Sequence, residues 1–283
     1  MARRGHFKSL QCKSISGRSL GRGSKESRGL GKIMLPFAKW IRERKESKNT
    51  PIVLSLDPPS GTRRPIQELS KVLRKTHPFI CAVKIGRQLT AERGFSKELR
   101  RLMEYAHRMD LPVIYDSKLN DVAYTNLVVF EKHLKLGMDA EIVSPLPGWD
   151  GGLDAIFLES KKKGKGVLVL GYMSHPGARE MFDLKLMRPK MKLYEYMVKK
   201  AESWGADGVI VPATRPSVVR RVSSLIGLPL YAVGIGPQGG EVRKAIMAGA
   251  EYLIVGRAIT SAPEPNLAAK RMVDEAADSS MAI

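Results

Sequence analysis

From Pro51 onward the chain alternates short apolar runs with longer amphipathic segments, and no other feature restricts its fold as much. The apolar runs fall at 52–56, 79–85, 112–115, 140–143, 166–170, 208–211, 230–233 and 252–255. Between them lie segments with helical periodicity, including 96–108, 123–136, 193–204, 217–226 and 242–248. Short apolar runs interleaved with helices argue for a repeated βα unit and a parallel sheet. Gly137, Gly205 and Gly249 each stand where a helix should stop just before a strand, a position that favours glycine because no Cβ opposes positive φ. Pro216 is placed to open the helix that follows it, where a missing N–H costs nothing.

Eight such units in the span from Pro51 to the C-terminus fit a closed (β/α)8 barrel, the TIM barrel of the α/β class, better than a doubly wound sheet. The expected organisation is a leader over 1–33, a linker or N-terminal helix over 34–50, and one catalytic barrel over 51–283. The formal charge of +20 invites a nucleic-acid reading, but residues 1–50 carry +11 of it and leave only +9 on the remaining 233. A mildly basic body suits anionic metabolites equally well and shows no recognised nucleic-acid module. The leader, rich in Gly, Ser and Arg, lacks the apolar core of a secretory signal. It reads as a disordered tail or a misplaced start, with an organellar targeting segment and a nucleic-acid tail as alternatives. No apolar stretch approaches the length of a membrane span, and two cysteines, Cys12 and Cys81, make no disulfide framework or metal-ligand spacing. A cytoplasmic protein is expected.

In a barrel of this type, reactive groups gather where strands end and the following loops begin. Asp57, Lys84, Asp116, Lys118, Ser144, Ser174, the 234–240 loop and Arg257 all fall there. Asp116, Lys118 and Asp121 form the densest group. If the chain stays extended past Tyr115, Asp116 and Lys118 face the same way. Flanking carboxylates orient an ammonium and favour its charged form, so Lys118 is a candidate proton donor and a stabiliser of developing negative charge. Asp121 could equally be a helix cap, and a salt-bridged loop would show the same residues. Lys84 ends an otherwise apolar run, and burying it unpaired would be costly. Asp57 is its expected partner, with a plain ion pair as the bland alternative. Gly234-Ile235-Gly236-Pro237-Gln238-Gly239-Gly240 and Gly256-Arg257 offer backbone N–H groups and a guanidinium to an anion. The segment from Tyr172 to about Lys190 is long enough to cover the barrel mouth, and within it His175 reads as loop packing.

Taken together, Asp57, Lys84, Asp116-x-Lys118-x-x-Asp121, Met173-Ser174-His175-Pro176-Gly177-Ala178, the 234–240 loop and Val255-Gly256-Arg257 resemble orotidine 5'-phosphate decarboxylase in its archaeal-like form, over roughly 51–272. The resemblance implies conversion of orotidine 5'-monophosphate to UMP without cofactor or metal. It implies that Asp116 faces the substrate carboxylate, Lys118 protonates C6, and Lys84 and Asp57 bind ribose hydroxyls. It further implies that Ser174 meets the pyrimidine amide edge and that Gln238, Arg257 and the Gly236 and Gly256 backbone hold the phosphate. Asp121 and Thr125 would cross into the site of a second copy, making the working unit a homodimer. Val122-Ala123 departs from the Ile-Pro often found after the second Asp, Val233 from a common proline, and Ser144 from a histidine. A related alternative, a Mg²⁺-dependent hexulose-phosphate synthase or keto-gulonate-phosphate decarboxylase, would want a carboxylate where this chain has Lys84.

Overall fold

In the computed structural model, described here for residues 35–58, 61–91 and 96–281, the strands that close the sheet are buried over almost their whole length. Their near-continuous apolar runs suit parallel strands covered on both faces. The leader over 1–33 lies outside the described residues.

The strands are β1 (Ile52–Ser55), β2 (Ala82–Gly86), β3 (Val113–Leu119), β4 (Ala140–Val143), β5 (Gly166–Leu170), β6 (Lys185–Leu186), β7 (Met191–Lys192), β8 (Gly208–Pro212), β9 (Leu230–Val233) and β10 (Tyr252–Val255). All but β6 and β7 form a closed parallel barrel in the order β1-β10-β9-β8-β5-β4-β3-β2. This is the expected TIM barrel. β6 and β7 make a separate antiparallel hairpin inside the long loop after β5. The run at 79–85 starts later than its composition suggests, because His77–Phe79 winds into a 3-10 turn around Pro78 before β2 begins. β3 instead runs four residues past the expected end at Tyr115, carrying Asp116 and Lys118 with it.

The helices at Lys97–Arg108, Ala123–Lys135, Leu193–Ser203, Pro216–Ser223 and Val242–Met247 match the periodic segments within a few residues, and Pro216 opens its helix. Gly137, Gly205 and Gly249 all have positive φ at the helix exits. Further helices at Pro65–Thr76, Asp154–Lys163 and Pro265–Ser280 complete the outer layer. No helix among the described residues is long and apolar enough to cross a membrane.

The barrel interior is a packed core of its own. Val53, Ala82, Ile114, Ala140, Leu168, Ile210, Tyr231 and Tyr252 cluster there with Phe37 and Ile41 from the helix Phe37–Ser47. That helix closes the end of the barrel where the strands begin. The Phe37 ring lies on Gly166, where any Cβ would collide with it, and the Phe37 N–H donates to the Gly164 carbonyl (3.0 Å). Trp40 Nε1 donates to Asp110 Oδ1 (3.0 Å) and Arg44 Nη1 to Asp110 Oδ2 (2.7 Å), fixing the helix to the turn before β3.

Truncating Phe37, which is 2% exposed, should therefore open a cavity inside the barrel. Phe37→Ala is expected to lower the unfolding free energy by ~3–5 kcal/mol, read from denaturant melts.

A second expectation concerns Asp207, at the turn before β8. Its Oδ2 accepts the Val167 N–H (2.8 Å), but burial dominates and pushes its carboxyl up to about 6. A raised folded-state pKa penalises the native state above that value, and the penalty fades as pH falls towards the ordinary aspartate range. Asp207→Asn, which keeps an acceptor for Val167, should stabilise the protein by roughly 2–3 kcal/mol at pH 8. The gain should vanish near pH 4 in thermal melts run across that range.

Candidate active site

The C-terminal ends of the barrel strands surround a cavity of about 270 Å³. Eight of the sequence-selected residues line it: Asp57, Lys84, Asp116, Lys118, Ser174, Gln238, Gly256 and Arg257. Strand ends and the loops after them bring these groups together from segments far apart in the chain.

At the deep end, one carboxylate serves two ammonium groups. Asp116 Oδ1 accepts from Lys118 Nζ at 2.6 Å and Asp116 Oδ2 from Lys84 Nζ at 3.3 Å. Lys84 and Asp116 are largely withdrawn from solvent, with 8% and 15% of their side chains exposed, and Lys118 retains 30%. Burial works to raise the Asp116 carboxyl, but the charges of Lys84 and then Lys118, with their hydrogen bonds, hold it below the ordinary aspartate value. The expectation that Lys84 pairs with Asp57 is corrected: its carboxylate partner is Asp116, on the neighbouring strand. Asp57 is instead oriented by Gln88 Nε2, which donates to its Oδ1, while Thr260 Oγ1 donates to its backbone carbonyl (2.7 Å). Gly256 lies so close that a Cβ there would strike the Asp57 carboxylate.

Nor does β3 stay regular while it delivers these groups. Tyr115 pairs with Glu141 and Leu119 with Val143, so the register with β4 shifts between them, and Lys118 takes a left-handed φ of 51°. The bulge, rather than simple extension, turns both Asp116 and Lys118 to the cavity.

The opposite end is open and polar. Ser174 Oγ donates to Gln238 Oε1 at 2.6 Å, and Thr214 Oγ1 donates to the Ser174 carbonyl at 3.2 Å, which ties three loops together. Arg257 and Gln238 are exposed at this rim. Arg257 begins the short helix Arg257–Thr260, whose first N–H groups have no intrahelical acceptor. Gly236 does not line the cavity, and its N–H is engaged by the Gly240 carbonyl (2.9 Å). Ser144 also lies off the cavity wall, whereas His175, expected only to pack its loop, is on it. The long loop carries the helix Ala178–Phe182 and is pinned through Arg215, which donates to the Tyr172 hydroxyl and meets Asp183 at 3.2 Å.

Asp121 and Thr125 stay outside this cavity, on the exposed surface. The N-cap of the helix Ala123–Lys135 is Val122, not Asp121, and Asp121 Oδ1 accepts the Val122 N–H at 2.7 Å. Around them stand Val122, Tyr124 and Leu146, exposed at 61%, 80% and 64%.

Several wall residues had no signal of their own in the sequence. Ile142, Leu170, Ile210, Val233 and Ile254 form an apolar wall, and Tyr172 joins it. Leu170, Ile210, Val233 and Ile254 sit in continuously apolar runs, where alternation cannot tell the inward face from the outward one. Gln88 was hidden for another reason, since only the fold brings it to Asp57.

The family profile described as orotidine 5'-phosphate decarboxylase / HUMPS matches residues 50–272. A relative from Methanosarcina mazei, named orotidine 5'-phosphate decarboxylase, is 36% identical over 230 residues, which is 81% of this chain and 96% of the relative. The crystal structure of orotidine 5'-phosphate decarboxylase from Pyrococcus horikoshii OT3 is similar at 32% identity with a TM-score of 0.64, over 80% of this chain and 99% of that one. The structure of Leishmania donovani UMP synthase aligns with a TM-score of 0.75 at 26% identity. There, 87% of this chain is covered but only 57% of the larger protein.

Proposed function

We propose that this chain, which belongs to the orotidine 5'-phosphate decarboxylase / HUMPS family, converts orotidine 5'-monophosphate to UMP and carbon dioxide without a cofactor. The observation that carries the reading is Asp116 held between Lys84 and Lys118 at the enclosed end of a cavity whose open rim bears Gln238 and Arg257. That separation suits a substrate with an ionisable ring at one end and a phosphate at the other.

Each group then has a task. Arg257, Gln238 and the backbone at Gly256 bind the phosphate, with Gly236 shaping the loop that presents Gln238. Ser174, already bonded to Gln238, meets the pyrimidine amide edge, so ring and phosphate contacts report to one another. Asp57 and Lys84 hold the ribose hydroxyls. Asp116 faces the substrate carboxylate. When the C6–carboxylate bond breaks, its electron pair stays on C6 and CO₂ departs. The Lys118 ammonium stabilises that pair and donates the proton that completes UMP, and solvent returns a proton to the lysine. Ile142, Leu170 and Ile210 keep that end poor in water, which strengthens the ammonium's effect. Phosphate contacts remote from the reacting carbon supply binding energy for alignment.

Two lysine ammonium groups beside the reacting centre disfavour a divalent cation there, which argues against the metal-dependent enediolate chemistry of the related decarboxylases and synthases. The exposed Val122, Tyr124 and Leu146 beside Asp121 and Thr125 support a homodimer in which those two residues complete the partner's site.

The test follows the loss of orotidine 5'-monophosphate absorbance with EDTA present. Full activity is expected in the chelator. Lys118→Ala should lose ~10²–10⁴-fold or more of activity, and retention of more than a tenth would overturn the reading. Arg257→Ala should lower kcat/KM by roughly 10–100-fold, the range for a lost charge-assisted hydrogen bond. Mixing Lys118→Ala with Asp121→Ala chains should restore part of the activity, because one site of each mixed dimer then holds both residues. Failure to restore any would remove the shared site.

A further inference from the structure

Glu141 occupies a position where the fold asks for an apolar side chain. Its neighbours on β4, Ala140 and Ile142, pack in the barrel interior, so Glu141 points outward beneath the helices and is 0% exposed. The equivalent outward residues of β5, Val167 and Val169, are apolar core. A carboxylate placed there is costly unless its oxygens are satisfied. Burial pushes its carboxyl up, while bonds from His133 and Ser117 pull against that.

Both oxygens have partners. Ser117 Oγ donates to Oε1, and His133 Nδ1 lies 2.9 Å from Oε2. His133 belongs to the helix Ala123–Lys135, and its ring stands edge-on to Tyr115, with centroids 4.5 Å apart. The Tyr115 hydroxyl in turn meets Thr90 Oγ1 at 2.8 Å. The network therefore joins β3, β4, the helix Ala123–Lys135 and the short helix Arg87–Ala91, immediately behind the cavity.

Its location gives it a purpose. Ser117 sits between Asp116 and Lys118, in the segment where β3 loses register with β4 and where Lys118 adopts a left-handed backbone. A backbone ladder cannot hold a bulge at the residues it leaves unpaired. The Ser117–Glu141 bond spans that gap.

We propose that Glu141, braced by His133 and bonded to Ser117, is a positioning residue that holds the β3 bulge and thereby sets Lys118 and Asp116 against the substrate. It touches no substrate itself. The proposal rests on the decarboxylase reading for its kinetic test, and the structural test below is independent of that reading.

The deciding variant is Glu141→Leu, similar in size and apolar. If Glu141 served packing alone, an apolar side chain of similar size would fill its place and activity would stay. The positioning role instead predicts that kcat falls about tenfold or more, since a displacement of ~1 Å at a reacting group can cost on the order of 10²-fold. KM should stay within about threefold, because the phosphate rim is untouched, while Tm should fall, because leucine removes the acceptor of buried Ser117 and a partner of buried His133. Ser117→Ala, which deletes only the tie across the bulge, should shift kcat in the same direction and provides the test if the leucine variant does not fold. Glu141→Gln keeps an acceptor for Ser117 and should recover most of the lost kcat. Folded Glu141→Leu or Ser117→Ala proteins with kcat within about twofold of wild type would overturn the proposal. If the wild-type protein itself does not decarboxylate orotidine 5'-monophosphate, the functional reading fails separately. Crystal structures of the two variants then decide: loss of the left-handed Lys118 conformation or of its bond to Asp116 supports the positioning role, and an unchanged β3 ends it.

Discussion

Everything at the open end of this barrel depends on one carboxylate sharing itself between two lysines. Asp116 bonds Lys118 through one oxygen and Lys84 through the other, and none of the three side chains is more than 30% exposed. Removing one partner from a buried ion pair typically costs 3–5 kcal/mol, because the remaining charge is stranded. The arrangement is therefore demanding of its scaffold. Lys84, at the middle of β2, and Asp116, within β3, must project from the same face of the sheet, and the β2–β3 register puts them in phase by setting Lys84 opposite Ile114 and Gly86 opposite Asp116. It also leaves an excess positive charge at the enclosed end of the cavity, which suits an anion.

Depth divides the labour of the site. Charged groups near the apolar wall of Ile142, Leu170 and Ile210 act in a poorly screened environment, where a fixed ammonium is worth far more than in water. Arg257 and Gln238 stand at the exposed rim, where contacts form first and can steer an anionic end into place. The Ser174–Gln238 bond connects the two regions across separate loops. Arg215 adds an anchor by gripping Tyr172 at the start of the long loop after β5 and Asp183 further along it.

Period and punctuation made the barrel legible before any coordinates. Apolar runs of strand length, glycines at helix exits and Pro216 at a helix start are local consequences of backbone sterics, and they survive folding unchanged. The charged members of the site were legible for a related reason: Lys84 and Asp116 are conspicuous at the ends of apolar runs. What sequence could not supply was pairing. Asp57, just past the end of β1, and Asp116, on β3, both lie beside β2, and composition gave no means of preferring one over the other as the partner of Lys84. Side-chain direction within continuously apolar strands was equally hidden, so Leu170 and Ile210 could not be assigned to the cavity. Glu141 escaped notice because a single acid in an apolar run is informative only once its burial is known.

The left-handed φ of Lys118 links these levels. A non-glycine residue in that region costs roughly 1–2 kcal/mol, and such strain persists only where the surroundings over-determine it. Here the constraints come from both faces of the strand. On the cavity side the ammonium is fixed to Asp116, and on the buried side the preceding residue is fixed to Glu141. Neither constraint alone would suffice, since a lone ion pair could follow the backbone back to an extended strand, and a lone serine bond says nothing about where the lysine points. Held from both sides, the bulge confines the ammonium to a small volume in the free protein. The ordering cost is then met during folding instead of at each encounter with substrate, and that pre-organisation is what a site needs if its main catalytic asset is one well-placed charge.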